Sequence, residues 1–175
     1  MHPDREREYV EYVRGRLPRL HRTAYLLCGD GHRADDIVQV TLTALYVQWK
    51  KAAQADNLDG YVHRILVRKY LDERRLRWAG VRLGGVPAES VTVAAADHSL
   101  AEHDELVAAL RSLPKGQRAV VVLRFLDDLT IEETAEVLGC SAGNVKSQSS
   151  RGLATLRELL GAVSRISTTR MGIQS

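Results

Sequence analysis

The stretch Thr130 to Arg151 constrains this chain more than any other. Thr130-Ile131-Glu132-Glu133 has the form of a capping box, in which Thr130 caps the first amides of a helix and Glu133 reaches back three residues. The helix it opens is short, Ile131 to Leu138, and stops at Gly139. Ser141 can then cap a second, longer helix running to about Leu160. Counted from Ile131, Ala135 is fifth, Gly139 ninth and Val145 fifteenth. The small Ala135 lets the two helices approach, Gly139 tolerates a left-handed turn, and Val145 fills the space between the helices. That pattern is a helix-turn-helix, and an ordinary helical hairpin is the plain alternative. Asn144, Lys146, Ser147, Gln148, Ser150 and Arg151 then occupy the first turns of the second helix, and no acid occurs from Cys140 to Thr155. A helix that lies against phosphate needs both features. Upstream, Leu106–Leu113 reads as one helix and Pro114 to Phe125 as another, with Lys115, Arg118 and Arg124 available for phosphates.

The charge of the whole chain, +3, conceals a division. Residues 1–77 hold 15 basic and 11 acidic residues, a balance of +4. Residues 78–105 hold Arg82 against Glu89, Asp97, Glu102, Asp104 and Glu105, a balance of −4. Residues 106–175 return to +3. Two basic blocks around an acidic one suggest two nucleic-acid-facing modules and a middle segment with another task. The middle also changes in composition: Ala79 to Ala88 is rich in Gly and carries Pro87, and no helical period crosses Val91 to Ala96. It reads as a linker, since long structureless loops inside one compact domain are uncommon.

The first block is helical throughout. Tyr9, Val10 and Val13 begin one pattern, and Pro18 fits the first turn of a next helix carrying Leu20, Ala24 and Leu27. Gly29-Asp30-Gly31 breaks it. Over 33–51, Val38, Leu42, Leu45 and Trp49 share one face, and Asp36, Gln39, Thr43, Tyr46 and Lys50 share the opposite, polar one. The adjacent acids Asp35 and Asp36 point about 100° apart on a helix, so they do not converge on one metal ion or form an acid–base pair. They are first-turn acids or a partner contact. After the loop 54–59, a helix over 60–78 would bury Tyr61, Ile65, Leu66 and Leu71 and expose Arg64, Arg68, Lys69, Arg74, Arg75 and Arg77. Tyr61, His63, Tyr70 and Trp78 are interleaved with those cations, as suits a single strand, where cations track phosphates and rings stack on unpaired bases. A solvated basic face is the alternative.

With aromatics at only 5%, the cores must be built from Leu, Val, Ala and Ile, of which Leu and Ala favour helix, and together with the helical periods above the expectation is an all-α fold. No apolar run approaches the ~20 residues that cross a bilayer. The charged N-terminus leads into no apolar signal segment. Cys28 and Cys140 form no disulfide framework and read as small apolar residues, with a redox pairing as the minor alternative. These features make the cytoplasm the expected compartment.

Three stretches together carry a family resemblance. RADDIVQVTLTALYVQW (33–49), GYVHRILVRKYLDERRLR (60–77) and LPKGQRAVVVLRFLDDLTIEETAEVLGCSAGNVKSQSSRGLATLREL (113–159) resemble regions 2.2, 2.3–2.4 and 4 of bacterial RNA polymerase sigma factors of the extracytoplasmic-function (ECF) group, near the SigE-like actinobacterial branch. The resemblance implies two small helical domains, sigma-2 over 1–78 and sigma-4 over 106–162, joined by a flexible linker over 79–105 and followed by a polar tail, 163–175. It implies promoter recognition, DNA opening and transcription initiation as a dissociable polymerase subunit, with no catalytic residues, no metal and no cofactor.

The implied partners are core RNA polymerase, through the clamp helices of the largest subunit and the flap of the second-largest, then promoter DNA, and an anti-sigma factor, with no membrane insertion. Asp35, Asp36, Gln39 and Thr43 would face the polymerase. Asn57, His63, Arg64, Arg68, Lys69, Arg74 and Arg75 would face the opened minus-ten element, with the loop 54–59 helping to choose a flipped base. Arg118, Asn144, Lys146, Ser147, Ser150 and Arg151 would face the minus-thirty-five element. The acidic linker would thread towards the active-site and RNA-exit channels.

The chain departs from the family pattern at Val40, where an acid is common, at Lys69, where Asn is common, and at Gln148 and Ser149, where Arg and a bulky residue are common. A stand-alone helix-turn-helix regulator is the rival function, although such proteins usually carry a receiver or ligand-binding domain, and residues 1–77 show no strand pattern. A helical nucleic-acid enzyme would need a His, Cys or carboxylate constellation that the sequence lacks.

Overall fold

The structure is a computed structural model that describes residues 3–82 and 98–171, with side chains over 3–72 and 104–162. Among the described residues there is no strand. The chain divides into two compact units, residues 1–94 with Glu136–Gly139, and residues 95–135 with 140–175.

The first unit is built on α1 (Pro3–Cys28), α2 (Gly31–Val47), α3 (Trp49–Ala52) and α4 (Leu58–Arg82). Helix α1 is continuous, where the sequence suggests two helices meeting at Pro18. A proline inside a helix removes one hydrogen bond and costs about 3 kcal/mol or more. Here Pro18 and Arg14, whose carbonyl loses its partner, both lie on the exposed side. Burial of Leu20, Ala24 and Leu27 just beyond holds the helix together. It ends at Gly29, in the left-handed region at φ +69°. Asp30 then caps α2, its side chain accepting the Arg33 N–H at 2.9 Å.

The expected single helix over 33–51 is instead two. Helix α2 closes at Gln48, and the short α3 follows, placing Trp49 and Ala52 in the core. Tyr9 packs edge-on against both Tyr46 and Trp49, with ring centres 5.2 and 5.4 Å away, and its hydroxyl donates to the Leu42 carbonyl at 3.0 Å. Helix α4 buries Val62, His63, Leu66, Val67 and Tyr70. The expected stripe of Tyr61, Ile65, Leu66 and Leu71 is thus rotated by about one residue.

The second unit comprises α5 (His98–Ser112), α6 (Lys115–Val121), a π-helical turn over Val122–Leu126, α7 (Ile131–Leu138) and α8 (Ala142–Met171). Helices α4 and α5 reach into the span expected to be linker, and residues 83–97 lie outside the described residues. Helix α8 runs past Leu160 into the span expected to be a polar tail. Its close approach to α6 depends on Gly152, since a Cβ there would lie 2.8 Å from Val121 Cγ2.

Candidate nucleic-acid and polymerase interface

The turn between α7 and α8 has the geometry its sequence suggests. Thr130 N–H donates to Glu133 Oε2 at 2.7 Å, and Glu133 N–H donates to Thr130 Oγ1 at 3.1 Å, closing the capping box. Gly139 sits at φ +65°, where a Cβ would be strained. Ser141 Oγ accepts the Asn144 N–H at 3.1 Å and caps α8. Ala135 and Val145 are buried. With Val145 facing inward, Asn144, Lys146, Ser147, Ser150 and Arg151 are exposed on the outer face of the first turns of α8, and Gln148 is half-buried. Polar groups able to read base edges and cations able to meet phosphates therefore share one rigid, solvent-facing surface.

Arg118 is a correction. It was expected at phosphate but is 7% exposed, and its guanidinium donates to the carbonyls of Arg111 at 2.7 Å and Leu113 at 3.1 Å. Those carbonyls belong to the end of α5, where helix acceptors lack intrahelical partners. Arg118 therefore ties α6 to α5. Arg124 also turns inward, donating to the Leu129 carbonyl at 2.8 Å, with its guanidinium 5.3 Å from the Phe125 ring centre. Phe125 itself is 42% exposed. Its outward position follows from the π turn, which rotates it off the face that α6 alone would predict, so helical spacing does not reveal it.

In the first unit, Asp35, Asp36, Gln39 and Thr43 are all exposed on α2, as expected. Thr43 Oγ1 donates to the Gln39 carbonyl at 2.9 Å, and His21 Nδ1 lies 3.3 Å from Asp35. The same side of the helix also exposes Val40, Tyr46 and Val47, an apolar component of which the polar-face pattern includes only Tyr46. An apolar centre among polar groups is the usual composition of a protein interface.

The basic helix is partly corrected. Arg68 is exposed, and Arg64 and Lys69 are half-buried. His63, expected on the DNA side, is 3% exposed, with Nδ1 2.8 Å from the Asp59 carbonyl. Tyr70, expected among the stacking rings, is 1% exposed. Both follow from the rotated stripe, which turns positions 63 and 70 to the core. The side chains of Arg74, Arg75 and Trp78 lie outside the described residues. Asn57 is exposed and caps α4, its Oδ1 accepting the Gly60 N–H at 2.8 Å. A Cβ on Gly60 would meet the Asn57 side chain at 2.9 Å, so the glycine makes room for the cap.

Residues 12–79 match the Sigma-70 region 2 family, and residues 103–156 match the family described as Sigma-70, region 4. The RNA polymerase sigma-E factor of Streptomyces avermitilis is 38% identical over 156 residues, 87% of this chain and 85% of that protein. The chain belongs to the ECF group of RNA polymerase sigma factors. It is similar also to the sigma-E factor of Streptomyces coelicolor, at 37% identity over 89% of this chain and 87% of that one. Among solved structures, the sigma factor RpoE of Bartonella quintana, crystallised in complex with the anti-sigma factor NepR, superposes with a TM-score of 0.80 at 28% identity, covering 88% of this chain and 97% of that one.

As a sigma factor the chain is a promoter-recognition subunit of RNA polymerase and not an enzyme. Cys28, buried with Sγ 3.2 Å from the Asp30 carbonyl, and Cys140, half-buried, form no disulfide. Among the described residues no three His, Cys, Asp or Glu side chains gather as metal ligands, and no helix is long and apolar enough to cross a membrane.

Proposed function

We propose that the two units of this sigma factor divide promoter recognition. In this reading the outer face of α8, with Asn144, Lys146, Ser147, Ser150 and Arg151, reads the duplex minus-thirty-five element, while Arg64, Arg68, Lys69, Arg74, Arg75 and the loop around Asn57 hold the opened minus-ten strand. The face of α2 with Asp35, Asp36, Gln39 and Thr43 docks on the polymerase clamp, with Val40, Tyr46 and Val47 supplying its apolar centre. Phe125 supplies an apolar contact for the flap. The single observation that carries the reading is the exposure of the five polar side chains around buried Val145 at the start of α8.

His63 and Arg118 drop out of the DNA-facing set because they are buried. The boundaries at 1–78 and 106–162 are kept as the approximate limits of the two promoter-binding domains. An anti-sigma factor is a fitting partner, since the Bartonella quintana relative is crystallised with one, and action on the polymerase places the protein in the cytoplasm.

The test is run-off transcription with reconstituted holoenzyme on duplex templates and on templates with a pre-melted minus-ten region. Lys146→Ala and Arg151→Ala should lower closed-complex formation without rescue by the bubble. Arg68→Ala and Lys69→Ala should be partly rescued. Equal rescue of both groups would overturn the division.

A further inference from the structure

The loop that carries Asn57 is fastened at both of its ends by side chains of α1, a helix with no assigned part in promoter recognition. Asp59, in the first turn of α4, accepts two hydrogen bonds on one oxygen: the Tyr12 hydroxyl at 2.8 Å and Arg16 Nε at 2.9 Å. The donors stand one turn apart on α1, 47 and 43 residues away in sequence from their acceptor, and the Arg16 guanidinium lies 6.0 Å from the Tyr12 ring centre. The Tyr12 ring also packs on Trp49, centre to centre 5.7 Å, at the start of α3. Tyr12 therefore touches the element before the loop and the element after it.

Further contacts make the frame continuous. The Tyr61 hydroxyl donates to Gln48 Oε1 at 2.8 Å, linking the first turn of α4 to the break between α2 and α3. His63 Nδ1 meets the Asp59 carbonyl, and Asn57 caps the Gly60 amide. Burial would push the Asp59 carboxyl up, but the hydrogen bonds from Arg16 and Tyr12 and the nearby charges outweigh it, and Asp59 is held below the usual carboxylate range. Two donors converging on an ionised oxygen make a directional tie, stronger than neutral hydrogen bonds.

We propose that Tyr12, Arg16 and Asp59 are positioning residues that set the 53–57 loop for capture of an unpaired promoter base, and so help to determine base selectivity at the minus-ten element. The inference rests on the reading of this loop as a contact to the opened strand. Tyr12 and Arg16 act through Asp59 and the helix start it anchors, without touching DNA. Exposed loops hold a reading geometry only when their ends are fixed, and small displacements of a positioned group lower rates disproportionately.

The test uses holoenzyme reconstituted from core RNA polymerase and the full chain. A promoter is first selected with the wild type from a library randomised over the minus-ten region, and its single-base variants are then compared on pre-melted templates. Tyr12→Phe keeps the ring on Trp49 and removes only the hydroxyl, Arg16→Ala removes the second donor, and Arg16→Lys restores a cation. Melting curves and core affinity are measured on each, with Asn57→Ala in parallel.

The expected result is that Tyr12→Phe and Arg16→Ala lower discrimination between the selected base and its substitutes by about tenfold, within the range that misplacement of a positioned group costs. Melting temperature falls modestly, as loss of a partner of Asp59 requires, core affinity changes little, and Arg16→Lys recovers part of the lost discrimination. Unchanged discrimination in Tyr12→Phe and Arg16→Ala, beside a clear loss in Asn57→Ala, overturns the proposal and leaves the loop reading standing. Unchanged discrimination in Asn57→Ala as well removes the loop reading itself. A transcription loss that merely follows a lowered melting temperature, with discrimination intact, reduces the tie to a structural brace and also overturns the proposal.

Discussion

At the scale of single residues, burial separates cations that hold the fold from cations left exposed. Arg118 and Lys146 look alike in sequence, each a cation flanked by uncharged residues in a helix of the second unit. Arg118 satisfies two carbonyls at the end of α5, whereas Lys146 is exposed at the start of α8. Hydrogen bonds to a charged group contribute about 1.5–3 kcal/mol, so Arg118→Ala should lower stability on that scale. Lys146→Ala should change stability by under ~0.5 kcal/mol and weaken duplex binding. Denaturant melts of both variants beside holoenzyme binding measure the contrast, and equal stability loss in the two contradicts it. Gly152→Ala is a second residue-scale prediction. The new Cβ would meet Val121 Cγ2 at 2.8 Å, and overpacking of this kind costs about 1–3 kcal/mol. A denaturation midpoint equal to wild type would show that α6 and α8 separate freely.

Asp59 gives a pH prediction with a definite sign. Its folded-state pKa lies below the ordinary carboxylate value, so its contribution to stability is complete above that ordinary value. It is lost as pH falls through the depressed value. Asp59→Asn should therefore be less stable than wild type at neutral pH, and the difference should shrink in strong acid. A difference that stays constant across that range removes the ion-pair account.

At the scale of elements, the helix-turn-helix is the most legible part of the chain, because its signals are local. The capping box, the glycine at positive φ and the serine cap each act within four residues of where they stand. The errors arise where packing between elements decides the outcome. Pro18 reads as a helix start but is tolerated inside α1 because its own side of the helix faces water. The buried stripe of α4 lies one residue off the expected one, with Tyr61 tied outward to Gln48 and Val62 and His63 buried, and this alone misplaces His63 and Tyr70. Arg118 could not be told from a phosphate contact, since its acceptors are carbonyls five and seven residues earlier, in the last turn of α5 and just after it. The tie from α1 to Asp59 spans more than forty residues and leaves no local trace at all.

The polar face of α2, by contrast, was visible from its period and is exposed as read, although Val40, Tyr46 and Val47 make it less polar than it looked. The prediction at this scale concerns that face. Asp36→Ala and Gln39→Ala should leave the melting curve within ~0.5 kcal/mol of wild type. Affinity for core polymerase should fall by ~2 kcal/mol or more if either residue is a hot spot. Normal binding of both variants in a pull-down with core moves the docking surface elsewhere.

At the scale of the whole molecule, the chain holds two compact helical units, and in the proposed division each makes its own contact with the promoter. A dissociable subunit of this kind differs from a self-sufficient regulator in what it needs for specific binding. Helix-turn-helix repressors read paired half-sites as symmetric dimers, and the sequence offers no heptad to build one. The central claim is that this sigma factor gives core RNA polymerase its promoter selectivity, and reconstitution tests it most directly. Run-off transcription on genomic templates with core polymerase, with and without the chain, should yield discrete start sites only when both are present, and the chain alone should leave no footprint. A palindrome footprinted by the purified chain at nanomolar concentration, with no new start sites in the presence of core, would contradict it.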